Sequence, residues 1–197
     1  MILEPESDNS GLAPPLPAPA PLPHLGPLGL AFTVLVALIG GFFGIFGAFV
    51  GEFQAGGFLL LPILGAPIIE EALKPVGVYL LMVRWPRLIL GRVHTGLLAG
   101  LAGLTFGLIE ALVYVSVYVD DPTDAFITYR FTLPLILHTT CSFLVGLGIV
   151  GSVVSWANGE NPLPKSSRNL YIAAVAIHAT YNTLAMLLAI TGVVDFD

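Results

Sequence analysis

Residues 66–84 read APIIEEALKPVGVYLLMVR and place two carboxylates and one ammonium group, on Glu70, Glu71 and Lys74, in an otherwise apolar segment. The apolar residues around them are typical of a membrane span, because about 20 such residues cross the hydrocarbon core. A charged side chain at the centre of a membrane helix costs roughly 2.5–3.5 kcal/mol. A structural role seldom sustains that cost three times, so these groups are expected to face a hydrated cavity shared with other helices.

The composition of the whole chain agrees with a membrane protein. Of its 197 residues, 56% are hydrophobic and only 10% are charged, whereas soluble domains carry about 25% charged residues. We therefore predict an all-α fold, a polytopic transmembrane helical bundle with about five to six spans, in contact with lipid as a multi-pass protein of the cell membrane. The single cysteine excludes an internal disulfide, and no basic cluster indicates a nucleic-acid partner. The composition does not indicate an oligomeric state.

The chain divides into two regions. Residues 1–28 hold eight of the 16 prolines and are predicted to form a disordered, proline-rich tail, because proline at this density prevents a helix. Residues 29–197 are predicted to form the transmembrane helical domain. Its apolar segments are 29–51, 56–83, 92–119, 131–156 and 169–193. The second of them contains three prolines, so we expect it to be kinked or split into a half-helix and a helix.

The charges of the loops predict the orientation of the bundle. Two loops are basic, and their residues are Arg84, Arg87, Arg92, Lys165 and Arg168. The loop between the third and fourth segments is acidic, with residues Asp120, Asp121 and Asp124. Because cytoplasmic loops carry an excess of lysine and arginine, the two basic loops are expected in the cytoplasm and the acidic loop outside.

Amphipathic side chains near the segment ends are expected at the membrane interfaces. Arg130 is predicted to anchor the outer interface by snorkelling. Tyr114, Tyr118, Trp85 and Trp156 are predicted to have interfacial or lipid-facing positions, as aromatic residues at span ends commonly do. None of these five residues is therefore a primary site candidate.

The polar groups inside the apolar segments are few. Beyond the three in the second segment, they are Glu110 in the third segment, His138 in the fourth, and His178 and Asn182 in the fifth. Spacing of four residues puts Glu70 and Lys74 on one helix face, and likewise His178 and Asn182. Four helices can thus bring carboxylates and imidazoles to one level of the membrane, with Lys74 as the charge partner of the acids.

This set of groups suits hydrolysis. A glutamate can deprotonate a water molecule, and an imidazole or the amide of Asn182 can stabilise an oxyanion. The same glutamates and histidines are also competent zinc ligands that would leave a coordination position open for water. The local HExxH zinc motif is absent. The residues alone therefore leave two alternatives open, a glutamate-activated water and a zinc site.

Four runs in the same order resemble the motifs of the PrsW family of intramembrane proteases. PIIEEALK is similar to its EExxK motif, and GLTFGLIEALVY to its FxxxE motif followed by an aromatic residue. RFTLPLILHTTCSFLVGLG resembles the third motif, an arginine, a histidine and a glycine-rich tail, and this match leaves a minor site role open for Arg130. HATYN resembles the fourth, a histidine with an asparagine four residues on. The related CPBP group, which includes the CAAX prenyl endopeptidases, has EExxxR and FxxxH instead.

The resemblance implies cleavage of a membrane-embedded or membrane-adjacent protein by the domain at 29–197. It implies that the catalytic or metal-binding residues are Glu70, Glu71, Glu110, His138 and His178. Zinc, if bound, would be held by Glu70, Glu110, His138 and His178. We expect Asn182 to assist catalysis as an amide donor one turn beyond His178.

Two other classes of function also fit buried ionisable groups. A proton or cation transporter uses intramembrane carboxylates and histidines as relays, although such folds usually contain an internal repeat and none is visible here. A non-catalytic membrane scaffold would bind a partner helix and cut no substrate. The interpretation we prefer is an intramembrane endopeptidase whose water is activated by buried glutamate with histidine partners or zinc.

Overall fold

The computed structural model describes residues 25–54 and 61–191. Within these ranges it contains α-helices and no β-strand. The helices are α1 (Pro27–Gln54), α2 (Ala66–Leu73), α3 (Val76–Arg84), α4 (Arg92–Val113), α5 (Asp124–Arg130), α6 (Leu133–Gly148), α7 (Gly151–Ala157) and α8 (Lys165–Ile190). Two π-helical turns, Leu61–Gly65 and Tyr114–Tyr118, and a 3₁₀ turn, Pro86–Leu88, join them. The predicted all-α bundle is confirmed.

Within residues 25–54 and 61–191, four stretches are long and apolar enough to cross a membrane: Pro27–Val50, Arg92–Tyr118, Asp124–Gly148 and Lys165–Ile190. The remaining predicted span corresponds to α2 and α3, whose 8 and 9 residues are each shorter than the roughly 20 residues that cross the hydrocarbon core. The protein is therefore a multi-pass membrane protein in which one predicted span is an interrupted helix pair.

Pro75 interrupts that pair, as the sequence predicts. Proline has no N–H to continue the helical hydrogen bonds, and its ring clashes with the carbonyl one turn earlier. Accordingly α2 ends at Leu73, with the Lys74 N–H still bonded to the Glu70 carbonyl at 2.8 Å, and α3 begins at Val76. The break leaves the acidic residues and the lysine together in the last turn of a short helix.

The fourth predicted segment, 131–156, is wrong as one continuous helix. Helix α6 ends at Gly148, and the chain is extended at Ile149 and Val150 before α7 begins. Side chains from other elements satisfy the last carbonyls of α6. Ser167 Oγ donates to the Gly148 oxygen at 2.6 Å, and Arg92 Nε donates to the Leu147 oxygen at 2.9 Å. Because side chains of other helices bond these terminal carbonyls, α6 can end at Gly148.

Of the proline-rich tail predicted for residues 1–28, residues 1–24 lie outside the part of the chain that the structure describes. Helix α1 begins at Pro27, two residues before the predicted domain boundary. Proline is suited to this position, because the first turn of a helix needs no N–H donor.

Helix α4 is the centre of the bundle and packs against α6 on one side and α1 on the other, while α8 packs against α6 and α2. Glycines allow the close approach. A methyl group added to Gly41 of α1 would overlap the backbone of Ala102 in α4, and one added to Gly103 would lie 2.5 Å from the His138 oxygen in α6. These close contacts join α1, α4 and α6, and α2 and α8 pack against them, so that α2, α4, α6 and α8 lie together.

We expect Gly41→Ala to lower the free energy of unfolding by about 1–3 kcal/mol, because the added methyl must push α1 away from α4. Thermal unfolding in detergent micelles measures the change. Gly151→Ala is the matched control, since a methyl group there meets no atom within 4 Å and should change stability by less than about 0.5 kcal/mol. Equal stability of the two variants would contradict close packing at Gly41.

Candidate active site

The last turn of α2 carries the charged core of the site. Lys74 is fully buried, and its Nζ lies 2.7 Å from Glu71 Oε1 and 3.0 Å from Glu70 Oε2. The first contact is a hydrogen bond. Glu70 Oε2 is within ion-pair range but lacks hydrogen-bond geometry and has no hydrogen-bond partner among the described residues. One ammonium group therefore serves two buried carboxylates, and one carboxylate oxygen retains acceptor capacity.

His138 joins this core from α6. Its Nδ1 lies 2.7 Å from Lys74 Nζ, and its Nε2 lies 2.6 Å from Glu110 Oε2. An ammonium group can only donate, so Nδ1 accepts and Nε2 carries the proton donated to the carboxylate. The hydrogen bonds to Lys74 and Glu110 fix the ring so that its Nδ1 lone pair faces the acids of α2. Nδ1 lies 3.8 Å from Glu70 Oε2.

His178 reaches this core from α8, and its ring nitrogens have the reverse roles, with Nδ1 as the donor and Nε2 as the acceptor. Its Nδ1 donates to Glu71 Oε1 at 2.8 Å, since a carboxylate only accepts. Its Nε2 then presents a lone pair, 3.9 Å from Glu70 Oε2. The two imidazole rings are nearly perpendicular, with centroids 5.1 Å apart. Both histidines thus direct a lone pair to the neighbourhood of one glutamate oxygen.

Glu70, His138 and His178 fit a zinc ion by donor type and by surroundings. One donor atom from each lies within 4.8 Å of the others, and two nitrogens with one carboxylate oxygen form a catalytic zinc set. The separations of 3.8 and 3.9 Å from Glu70 Oε2 are below twice a zinc–ligand distance of about 2.1 Å. Each histidine also donates its other N–H to a carboxylate, as zinc-binding histidines usually do. Lys74 Nζ contacts two of the three donors, so a bound cation would compete with it for their lone pairs.

Glu110, which was predicted among the zinc ligands, lies outside this group of three. It holds the far nitrogen of His138. Glu71 likewise accepts a hydrogen bond from Nδ1 of His178, the ring nitrogen farther from Glu70. The structure thus brings together all the acids and imidazoles predicted from sequence, and it separates them into a central group and two outer carboxylates.

A cavity of about 400 Å³ opens in front of these residues. Glu70, Glu110, His138 and His178 line it, and so does Asn182, whereas Glu71 and Lys74 lie behind this wall. Aromatic side chains form much of the remaining lining, among them Phe106, Tyr114, Tyr118, Tyr129 and Tyr181. The cavity therefore combines the polar groups of the central group with a largely aromatic lining.

The predicted position of Arg130 at the membrane interface is wrong. Only 11% of its side chain is exposed, and its Nη2 lies 3.4 Å from Glu110 Oε1. Its guanidinium carbon lies 3.7 Å from the centre of the Tyr114 ring. The α5–α6 turn carries Arg130 inward over the cavity, where a buried charge finds a carboxylate and an aromatic face.

Tyr114 lines the cavity and stacks on Arg130, so its predicted interfacial or lipid-facing position is wrong. Tyr118 also lines the cavity, but it ends a candidate span and is 59% exposed, as expected for an interfacial residue. A signal for Tyr114 existed in the sequence, because it follows Glu110 by four residues and shares its helix face. Trp85 and Trp156 are 40% and 46% exposed, as expected for interfacial residues.

The chain matches the family model of the PrsW family intramembrane metalloproteases over residues 26–196. Neither the curated proteins nor the solved structures gave a match. The further relationship to the CPBP group is not addressed by this match and stays a prediction. The matched range includes all four motifs and every residue of the buried acid–histidine cluster, and the chain therefore belongs to the PrsW family of intramembrane metalloproteases.

Proposed function

We propose that this protein is an intramembrane endopeptidase that hydrolyses a peptide bond of a membrane or membrane-adjacent protein. The observation that carries the proposal is the convergence of carboxylates and two imidazoles, from four helices, on one cavity inside the bundle. Burying ionisable side chains within a membrane costs free energy. Catalysis on a bound substrate would account for the retention of these groups at one wall of the cavity.

Glu70 is the group we assign to the attacking water. It lines the cavity, and its Oε2 has no hydrogen-bond partner among the described residues. Without a metal, a buried carboxylate in this position can accept a proton from water and pass it to the leaving amine; with zinc bound, Oε2 would serve as a ligand instead. Glu71 does not line the cavity, so it supports the reaction by holding His178 and neutralising Lys74.

The hydrogen bonds favour histidines that act through lone pairs. The N–H of His138 is given to Glu110, and that of His178 to Glu71. Neither neutral ring keeps an N–H for an oxyanion. Each points a lone pair towards Glu70, that of His178 Nε2 and that of His138 Nδ1, and the latter accepts from Lys74 Nζ at 2.7 Å. This pattern suits metal ligands better than oxyanion donors. Asn182 lines the cavity one turn beyond His178 and offers an amide donor for the oxyanion.

We therefore assign a zinc ion to Glu70, His138 and His178. When bound, zinc would supply Lewis-acid activation of the water and of the scissile carbonyl. The site's own residues would hold the peptide in the cavity, orient the two imidazoles through Glu71 and Glu110, and move the proton.

A proteolysis assay with metal removal tests the proposal. The purified protein in liposomes should cleave a reporter that contains a membrane-spanning segment, and elemental analysis should find about one zinc per chain. Chelation should abolish cleavage and added zinc should restore it, because the ion supplies the activation of the water. Full cleavage by protein freed of metal would contradict the zinc assignment and leave a glutamate-activated water. Absence of cleavage with zinc bound, together with ion flux in proteoliposomes, would favour a transporter.

Arg130 is expected to position Glu110 and, through it, His138. We expect Arg130→Gln to lower kcat/KM about 10- to 100-fold, the usual effect of losing an outer partner of a ligand. Arg130→Lys should restore part of the loss, since it retains the charge but not the planar fork. The matched control is Arg87→Gln, an exposed arginine in the Pro86–Leu88 turn. Equal zinc affinity and equal activity of Arg130→Gln and the control would contradict the positioning role.

The cellular setting that we propose follows from the loop charges. The protein lies in the cell membrane with its two basic loops in the cytoplasm, since positive loops stay on that side. Its partners in this proposal are the surrounding lipids and a membrane-protein substrate. Accessibility of cysteines introduced at Asp121 and Ser166 to a membrane-impermeant reagent tests the orientation, and labelling of Ser166→Cys from outside would contradict it.

A further inference from the structure

A second cavity lies outside the active site. Its volume is about 510 Å³, and it shares no lining residue with the active-site cavity in the described part of the chain. Helices α2, α3, α6, α7 and α8 contribute to its walls. Representative lining residues are Met82, Val145, Ile149, Val153, Trp156 and Tyr171.

The walls of this cavity offer hydrocarbon rather than polar partners. Two of its polar side chains are already engaged within the fold, because Ser167 Oγ donates to the Gly148 oxygen at 2.6 Å and Tyr171 Oη donates to the Ile68 oxygen at 2.7 Å. Most of the other lining residues are aliphatic or aromatic. An occupant of this cavity therefore gains free energy chiefly by burying apolar surface.

The end of the bundle that carries this cavity is basic. Arg84 directly follows the lining residue Val83, Arg168 directly follows the lining residue Ser167, and both arginines are exposed. With Arg87, Arg92 and Lys165, this end holds five of the seven lysine and arginine residues of the chain. In the flanking segments 84–94 and 150–168, Glu160 is the one acidic residue. The field at the rim of the cavity thus favours an anion.

We propose that this cavity binds an anionic phospholipid, with one acyl chain in the apolar cavity and the phosphate near Arg84 and Arg168. A soluble anion would leave the hydrocarbon walls unused, and a zwitterionic lipid would gain little from the basic rim. Two of the helices around the cavity, α6 and α8, belong to candidate membrane spans, and basic pockets between membrane helices are known to bind anionic headgroups. Trp156 lines the cavity and is 46% exposed, which suits an aromatic residue that contacts lipid headgroups.

The bound lipid would bridge the helices that carry the active-site histidines. The cavity is lined by Val145 on α6, the helix of His138, and by Tyr171 on α8, the helix of His178. A ligand that contacts both helices stabilises their packed arrangement over any arrangement in which they separate. Anionic lipid would thus favour the assembled site without touching it.

Native mass spectrometry of the full-length protein in micelles tests the proposal with two probes of identical acyl chains, palmitoyl-oleoyl phosphatidylglycerol and palmitoyl-oleoyl phosphatidylcholine. We expect the protein to retain phosphatidylglycerol preferentially. Arg84→Gln and Arg168→Gln should each lower its affinity about 5-fold, the effect of one basic charge near the headgroup, and should leave phosphatidylcholine binding unchanged. Arg87→Gln is the matched control, because it is exposed at the same end but its chain neighbours do not line the cavity.

A second variant, Val153→Phe, fills the cavity without changing charge and should lower retention of both lipids. Equal retention of the two lipids by the unaltered protein would overturn the proposal. An equal loss in Arg87→Gln would also overturn it, since diffuse surface charge would then explain the binding. If Val153→Phe left lipid retention intact but abolished a homodimer, the occupant would be a second copy of the chain instead.

Discussion

Glu70→Gln is expected to lower kcat/KM for peptide hydrolysis by about 10²- to 10⁴-fold, the usual contribution of a positioned acid–base group. The substitution keeps the size of the side chain but removes the charge and the basicity of the carboxylate. Glu70 faces the cavity, and its Oε2 is the atom that both histidine lone pairs approach, at 3.8 and 3.9 Å. Zinc content should fall as well, because the amide oxygen is a weaker ligand than a carboxylate. Cleavage of a membrane-inserted reporter and elemental analysis of the same sample measure the two effects.

Three further variants sharpen this experiment. His178→Ala removes a proposed ligand and should lose both zinc and activity. Glu71→Gln should lower activity while retaining more zinc than His178→Ala, because Glu71 acts by orienting the ring of His178. Glu160→Gln, an exposed loop carboxylate, is the matched control and should behave like the unaltered protein. Activity of Glu70→Gln within twofold of this control would refute the assignment of the base.

Lys74→Met is expected to destabilise the fold by about 3–5 kcal/mol, the usual cost of removing one partner of a buried ion pair. Lys74 is fully buried, and its Nζ lies within 3.0 Å of both α2 carboxylates. Its loss leaves two adjacent negative charges in a medium that cannot solvate them. The midpoint and free energy of unfolding in mild detergent measure the effect, and methionine preserves most of the side-chain volume.

A compensating substitution distinguishes charge from packing. Combining Lys74→Met with Glu71→Gln removes one positive and one negative charge, so it should recover a large part of the lost stability. The coupling between the two sites is then the difference between the double variant and the sum of the singles. A double variant as unstable as that sum would mean that Lys74 acts through its packing, and that the buried acids tolerate each other without it.

Much of the fold could be predicted because it depends on local properties of the chain. The content of charged residues identifies a membrane protein, and segment length predicts where most helices cross. Pro75 predicts the break between α2 and α3, because the missing N–H is a property of one residue. The helix assigned to 131–156 failed for a nonlocal reason, since Ser167 and Arg92, from other helices, satisfy the carbonyls at which α6 ends.

The candidate site divides in the same way. The sequence alone determined that this chain buries ionisable groups in a membrane bundle, and its motif order indicated the family to which it belongs. Only the tertiary structure decided which of two adjacent glutamates faces the cavity, that Glu110 supports His138 through its far nitrogen, and that Arg130 turns inward. The contacts that decide these points join residues such as Lys74 and His138, or Glu71 and His178, which are 64 and 107 positions apart. Helical periodicity determines which residues share a face of one helix, but the meeting of two faces depends on how the helices pack, and spacing along the chain carries no information about that packing.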